Sequence, residues 1–133
     1  MYGKRLGRNR NEREALFKNL VRSLFLKEVI QTTEAKAKAI KGLVDKVINQ
    51  AKNPKTKRLV NQFLSDKLTA KKLINEIAPR FKTRISGYTS TVKLGVRKGD
   101  GAMMVQISLV KDSVAVKIKD AKVVKNKAKK EAK

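Results

Sequence analysis

Apolar residues recur at helical spacing through the first part of the chain and at a spacing of two after Pro79. Leu16, Phe17, Leu20, Val21 and Leu24 form one stripe and predict a helix over about residues 11–27. Lys18 and Arg22 fall on its opposite side with Asn11 and Asn19, and no acid is expected to share that face. Residues 28–32, with β-branched Val29 and Ile30, predict a short strand, after which Thr32 or Thr33 is placed to cap a helix. That second helix, about residues 33–52, turns Ala37, Ile40, Val44, Val47, Ile48 and Ala51 inward. On its outer side Glu34 with Lys38, and Lys41 with Asp45, stand four residues apart as opposite charges, the pattern of an ordinary solvated face. Asn53-Pro54 ends it and starts a short third helix carrying Leu59, Val60, Phe63 and Leu64. Asp66 is placed to cap a fourth, with Leu73, Ile74 and Ile77 facing the core. Pro79 is expected to close it, because the residue before a proline is pushed out of the α region.

Beyond Pro79, Tyr88, Ser90, Val92, Leu94 and Val96 alternate with Thr89, Thr91, Lys93, Gly95 and Arg97. Lys98-Gly99-Asp100-Gly101 supplies turn residues, and Met103, Val105, Ile107 and Leu109 alternate again. Two strands around a tight hairpin turn or a longer loop are expected. Helices first and strands afterwards predict an α+β domain, with about four helices packed on one face of a sheet of about three strands. A weaker alternation at 113–119, with Val114, Val116 and Ile118, allows a further strand before a Lys-rich stretch of low complexity. The organisation is then a basic extended arm at 1–10, one domain at 11–110, and a tail at 111–133 that is expected to be disordered without a partner.

Charge alters this ordinary picture. The 133 residues hold 34 Lys and Arg against 11 Asp and Glu, a net charge of +23. Solubility needs only about 2–8 for a small domain, so the excess points to a dense anion as partner, of which nucleic-acid phosphate is the commonest. The arm and the tail are both basic, yet the middle, residues 14–110, still carries +13 of the total. The folded body is therefore itself a candidate for binding.

Three segments hold candidate contacts. In the arm, Lys4, Arg5, Arg8 and Arg10 alternate with Gly and Asn, which lets the backbone bend along a phosphate track, and Arg13 leads on to Lys18 and Arg22 of the first helix. In the second segment, Arg80, Lys82 and Arg84 flank Phe81 and precede Ser86-Gly87-Tyr88. Its cations suit phosphates, while Phe81 is expected in the core, and Tyr88 either stacks on a base or joins the core. The third is Lys93, Arg97 and Lys98, on the strand face opposite Val92 and Leu94 and in the adjoining turn.

The chain has neither cysteine nor histidine. Disulfides, thiolate metal sites, Ser-His and Cys-His nucleophile pairs and the commonest general base are thereby excluded. No glycine-rich phosphate loop occurs. The expectations are no enzymatic activity, no cofactor, no metal and no small-molecule substrate. No apolar run approaches the roughly 18 residues of a membrane span, and no apolar leader opens the chain, so a cytoplasmic protein without membrane contact is expected. An alternative with the same charge is a nucleoid-type DNA-packing protein.

The stretches YGKRLGRNRNEREALFKNL (2–20), IQTTEAKAKAIK (30–41), INEIAPRF (74–81) and RISGYTSTVKLGVRKGD (84–100) occur here in one order. Together they resemble the bacterial large-subunit ribosomal protein family numbered seventeen, from about Lys4 to Val110. The resemblance implies an α+β fold, binding to 23S ribosomal RNA, a place near the nascent-chain exit, and neighbouring large-subunit ribosomal proteins as partners. The chain departs from the family's usual pattern near Glu12 and at Ser86, Ser90 and Val96. The tail from Lys111 onward lies outside the resemblance.

Overall fold

The computed structural model describes residues 5–110. Lys4, the alternation at 113–119 and the Lys-rich tail lie outside them. Helix α1 (Arg10–Lys27) begins where Glu12 reaches back to accept the Asn9 backbone N–H at 3.1 Å. It ends at Glu28, a left-handed residue whose N–H donates to the Leu24 carbonyl. The turn at Glu28 delivers the chain directly into strand β1 (Val29–Thr33). Helix α2 (Glu34–Lys52) follows without a loop, and Thr33 occupies its N-cap position without a side-chain cap bond. All six residues expected to face inward on α2 are buried.

Asn53 accepts from the Lys55 N–H, and Pro54–Thr56 makes a single 3-10 turn before α3 (Lys57–Leu64). Asp66 caps α4 (Lys67–Lys72) as expected, accepting from the Leu68 N–H at 3.2 Å. Pro79 does not close this helical stretch. The chain widens into a π turn at Leu73–Ile77 and continues as α5 (Ala78–Arg80), with Pro79 inside it. The Ala78 N–H reaches back five residues to Leu73, and Ala78 stays in the α region at φ −61°, ψ −41°. The wider ring offers a physical reason: it displaces the carbonyls that a proline ring meets in a regular α-helix.

Strands β2 (Thr89–Val96) and β3 (Met103–Leu109) complete an antiparallel sheet in the order β1-β3-β2. They are joined by a six-residue turn in which the Arg97 N–H donates to Ala102 and the Gly101 N–H to Arg97. Helix α2 is the centre of the molecule, touching α1, α3, α5 and all three strands. The core gathers Phe17, Val21, Leu24 and Phe25 of α1 around α2, with Leu73, Ile77 and Phe81 at one end and Ile107 and Leu109 from the sheet. Side chains of this size each stabilise the fold by about 1.5–3 kcal/mol when fully buried.

The sheet departs from expectation in which row of β2 meets the helices. Central β3 supplies the buried row Val105, Ile107 and Leu109, and the residues opposite on β2 are Lys93, Thr91 and Thr89. Directly opposed residues share a face. Thr91 is accordingly reached from α2 by Lys41, whose Nζ donates to its hydroxyl at 3.2 Å. Val92, Leu94 and Val96 are exposed instead. A bulge between Lys93 and Gly95, where Gly95 takes φ +127°, further breaks the strict alternation.

Candidate nucleic-acid interface

The loop between α5 and β2 is pinned to one stripe of α2. Asp45, Asn49 and Lys52 are spaced to share a helix face. The Asp45 carboxylate accepts from the Gly87 and Tyr88 backbone N–H groups at 3.2 and 3.3 Å. The Asn49 amide nitrogen donates to the Ile85 carbonyl at 3.1 Å. Lys52 Nζ donates to the Arg84 carbonyl and, at 2.6 Å, to the Tyr88 hydroxyl, and it lies 4.5 Å from the centre of the Tyr88 ring.

The hydroxyl completes the set. Asn49 Oδ1 lies 2.5 Å from it, and the Arg84 and Ile85 carbonyls 2.8 Å each. A phenol has one hydrogen to give. A self-consistent assignment has Tyr88 donating to Asn49 Oδ1, Asn49 donating to Ile85, and Lys52 serving Arg84 and the phenol oxygen. Inside the loop Arg84 also donates from Nη1 to the Gly87 carbonyl at 2.9 Å, and Gly87 takes φ +71°, a conformation costly for other residues. Lys82 and the Ile85 side chain point to solvent from a backbone that is held on its inner side.

Tyr88 is therefore not a stacking platform. Its ring is fully buried, 5.1 Å from that of Phe81 and tilted by 55°. Phe81 is in the core, as expected. The α2 face that was expected to be bland carries the loop, because Asp45 binds backbone N–H groups and Lys41 binds Thr91. Only the Glu34–Lys38 pair forms as the spacing suggested, at 2.7 Å. A polar stripe at positions i, i+4 and i+7 was the available signal for Asp45, Asn49 and Lys52, and nothing local distinguishes it from a solvated face.

The first helix also differs from expectation. Lys18 pairs with Glu14 at 3.1 Å and Arg22 with Asp66 at 3.2 Å, so its basic face is compensated. The Asp66 carboxyl is held below its ordinary value, chiefly by the hydrogen bond from the Thr69 hydroxyl, with Arg22 adding to it. Arg80 forks onto Glu28 through two bonds of 3.0 and 3.1 Å, which ties α5 to the turn after α1. Arg97 is engaged by Asp100 across the hairpin turn, and that contact, with the Ala102 N–H, lowers the Asp100 carboxyl to about 2.

In the arm, Leu6 packs on the core, and the Arg8 N–H donates to the Arg5 carbonyl in a turn at Leu6-Gly7. Arg8 and Arg13 spend guanidinium hydrogens on the Leu6 and Arg8 carbonyls, which leaves their charge uncompensated. Arg5, Arg10, Lys82, Lys93 and Lys98 are exposed and have no ion pair among the described residues. Also among the described residues, no group of carboxylates could hold a metal, and no helix is long and apolar enough to cross a membrane.

An α+β fold with free cations on an arm, a pinned loop and a hairpin marks a small basic protein of structural rather than catalytic type. The chain belongs to the ribosomal protein L17 family, whose model matches residues 16–110. It is 44% identical over 117 residues to the large ribosomal subunit protein bL17 of Pelobacter propionicus, covering 86% of this chain and 92% of that one. The bL17 of Carboxydothermus hydrogenoformans is 43% identical over 83% of this chain and all of its own. That of Anaeromyxobacter dehalogenans is 47% identical over 81% of this chain and 68% of its own. The protein is thus a ribosomal protein and not an enzyme.

Proposed function

We propose that this chain is a structural constituent of the large ribosomal subunit in the bacterial cytoplasm, binding 23S ribosomal RNA beside other large-subunit proteins. The family resemblance supports a position near the nascent-chain exit. The observation that carries RNA binding is the placement of cations without acidic partners on the arm, the 81–88 loop and the hairpin. Arg5, Arg8, Arg10, Arg13, Lys82, Lys93 and Lys98 are assigned to phosphate contacts, while Arg84, engaged with the Gly87 carbonyl, is assigned to bracing the loop. Lys18, Arg22, Arg80 and Arg97 contribute only where RNA competes with Glu14, Asp66, Glu28 and Asp100. For the exposed pairs this competition is cheap, because such ion pairs are worth about 0.2–1 kcal/mol.

Sedimentation of a cell lysate through sucrose at low and high salt, with mass spectrometry of each peak, tests this reading. The protein is expected in the large-subunit peak at both salt concentrations. Recovery with chromosomal DNA, together with equal affinity for random duplex DNA and 23S transcripts, contradicts it and favours a DNA-packing protein.

A further inference from the structure

We infer that Asn49, Lys52 and Tyr88 are positioning residues, which hold the 81–88 loop in its RNA-binding shape before RNA arrives. The inference rests on the reading that this loop contacts ribosomal RNA. Tyr88 is fully buried, yet its hydroxyl lies among four polar partners, three of which are Asn49 and the carbonyls of Arg84 and Ile85. The fourth, Lys52, serves the Arg84 carbonyl with the same ammonium group. The carbonyls so held are those of Arg84 and Ile85, two and three residues after Lys82.

Phe81 and the Tyr88 ring fill the core beneath the loop, and these bonds add a hold on the loop's carbonyls. Their effect is to fix the backbone from which the cations project. Without them the loop retains the same charges but must order when it binds, and that ordering subtracts from affinity. Removing a clamp bond should therefore weaken RNA binding without changing the number of phosphates contacted. Removing a cation should change that number. The salt dependence of binding separates the two, since its slope reports the number of phosphates neutralised.

Full-length protein is titrated with the tightest-binding of a set of 23S rRNA domain transcripts, across a salt series well below the melting temperature. Tyr88→Phe and Asn49→Ala both leave the net charge unchanged, and Asn49 is exposed, so at least that variant folds. Each is expected to lose roughly three- to tenfold in affinity at every salt concentration, with the slope unaltered. Lys82→Ala is expected to reduce the slope by about one. If Lys82→Ala lowers the slope while both clamp variants bind like wild type, even with a lower melting temperature, the positioning role is overturned and the RNA reading stands. If Lys82→Ala changes neither slope nor affinity, the loop is not an RNA contact and both fall. A lower slope for Lys52→Met beside unchanged Tyr88→Phe binding would make Lys52 a phosphate ligand, which also overturns the inference.

Discussion

The cations of α1 and those of the 81–88 loop look equivalent as residues and differ as surfaces. Lys18 and Arg22 project from a regular helix into the reach of Glu14 and Asp66. Lys82 projects from an irregular loop in which Asp45 is spent on the Gly87 and Tyr88 backbone N–H groups, and Lys82 itself has no ion pair among the described residues. The number of positive residues in a segment is therefore a poor guide to the charge it presents. A helix exposes its side chains to neighbours at i+4 and to whatever packs beside it, whereas a loop clamped through its backbone can leave a side chain such as that of Lys82 for a partner.

The largest effect expected from breaking this comparison comes from the ring that seats the loop. Phe81→Ala should cost about 3–5 kcal/mol of stability by urea denaturation, as for other fully buried aromatics. Loss of under 1 kcal/mol would mean that the loop and α5 are not joined to the core as described. A middle-sized effect is expected at Asp66, where one carboxylate caps α4 and neutralises Arg22. Asp66→Ala should lower the melting temperature yet strengthen binding to 23S transcripts and steepen its salt dependence, because Arg22 is released. Weaker binding with an unchanged slope would show that Arg22 lies outside the interface.

The smallest effect concerns pH at the hairpin. The Asp100 carboxyl is lowered to about 2 from an ordinary 3.8, first by Arg97 and then by the Ala102 N–H. A depressed carboxyl contributes stability that is fully present above the ordinary value and is lost as pH falls through the folded one. The turn should hold its shape above about pH 4 and loosen towards pH 2, read from the Asp100 carboxyl resonance by NMR. An Asp100 titration midpoint near 3.8 would show that the Arg97 contact does not persist in solution.

Much of the helical layer was legible in the chain. The inward row of α2 is a clean amphipathic pattern, and Asp66 and Asn53-Pro54 are capping signals with one local meaning. Most of what was missed depends on a partner distant in sequence. Alternation in β2 shows that two faces exist, but only its pairing with β3 determines that Thr91 rather than Val92 turns to the helices. The proline rule predicts a stop at Ala78, but the π turn that bypasses it has no local signature. Arg22 looks unpaired until α4 brings Asp66 beside it, and Tyr88 looks available until α2 encloses its hydroxyl. Arg10 and Lys82 stand out in the chain as basic residues, but that they are exposed without an ion pair is a property of the fold.

The direct test is the salt dependence of binding to a 23S rRNA domain transcript for three proteins: wild type, Lys82→Ala and Lys18→Ala. Each substitution removes one positive charge, so net charge alone predicts equal changes. A slope reduced by about one for Lys82→Ala, with a clearly smaller change for Lys18→Ala, is the expected result. Equal reductions, or a larger one for Lys18→Ala, would contradict the claim that the presentation of charge decides where RNA binds.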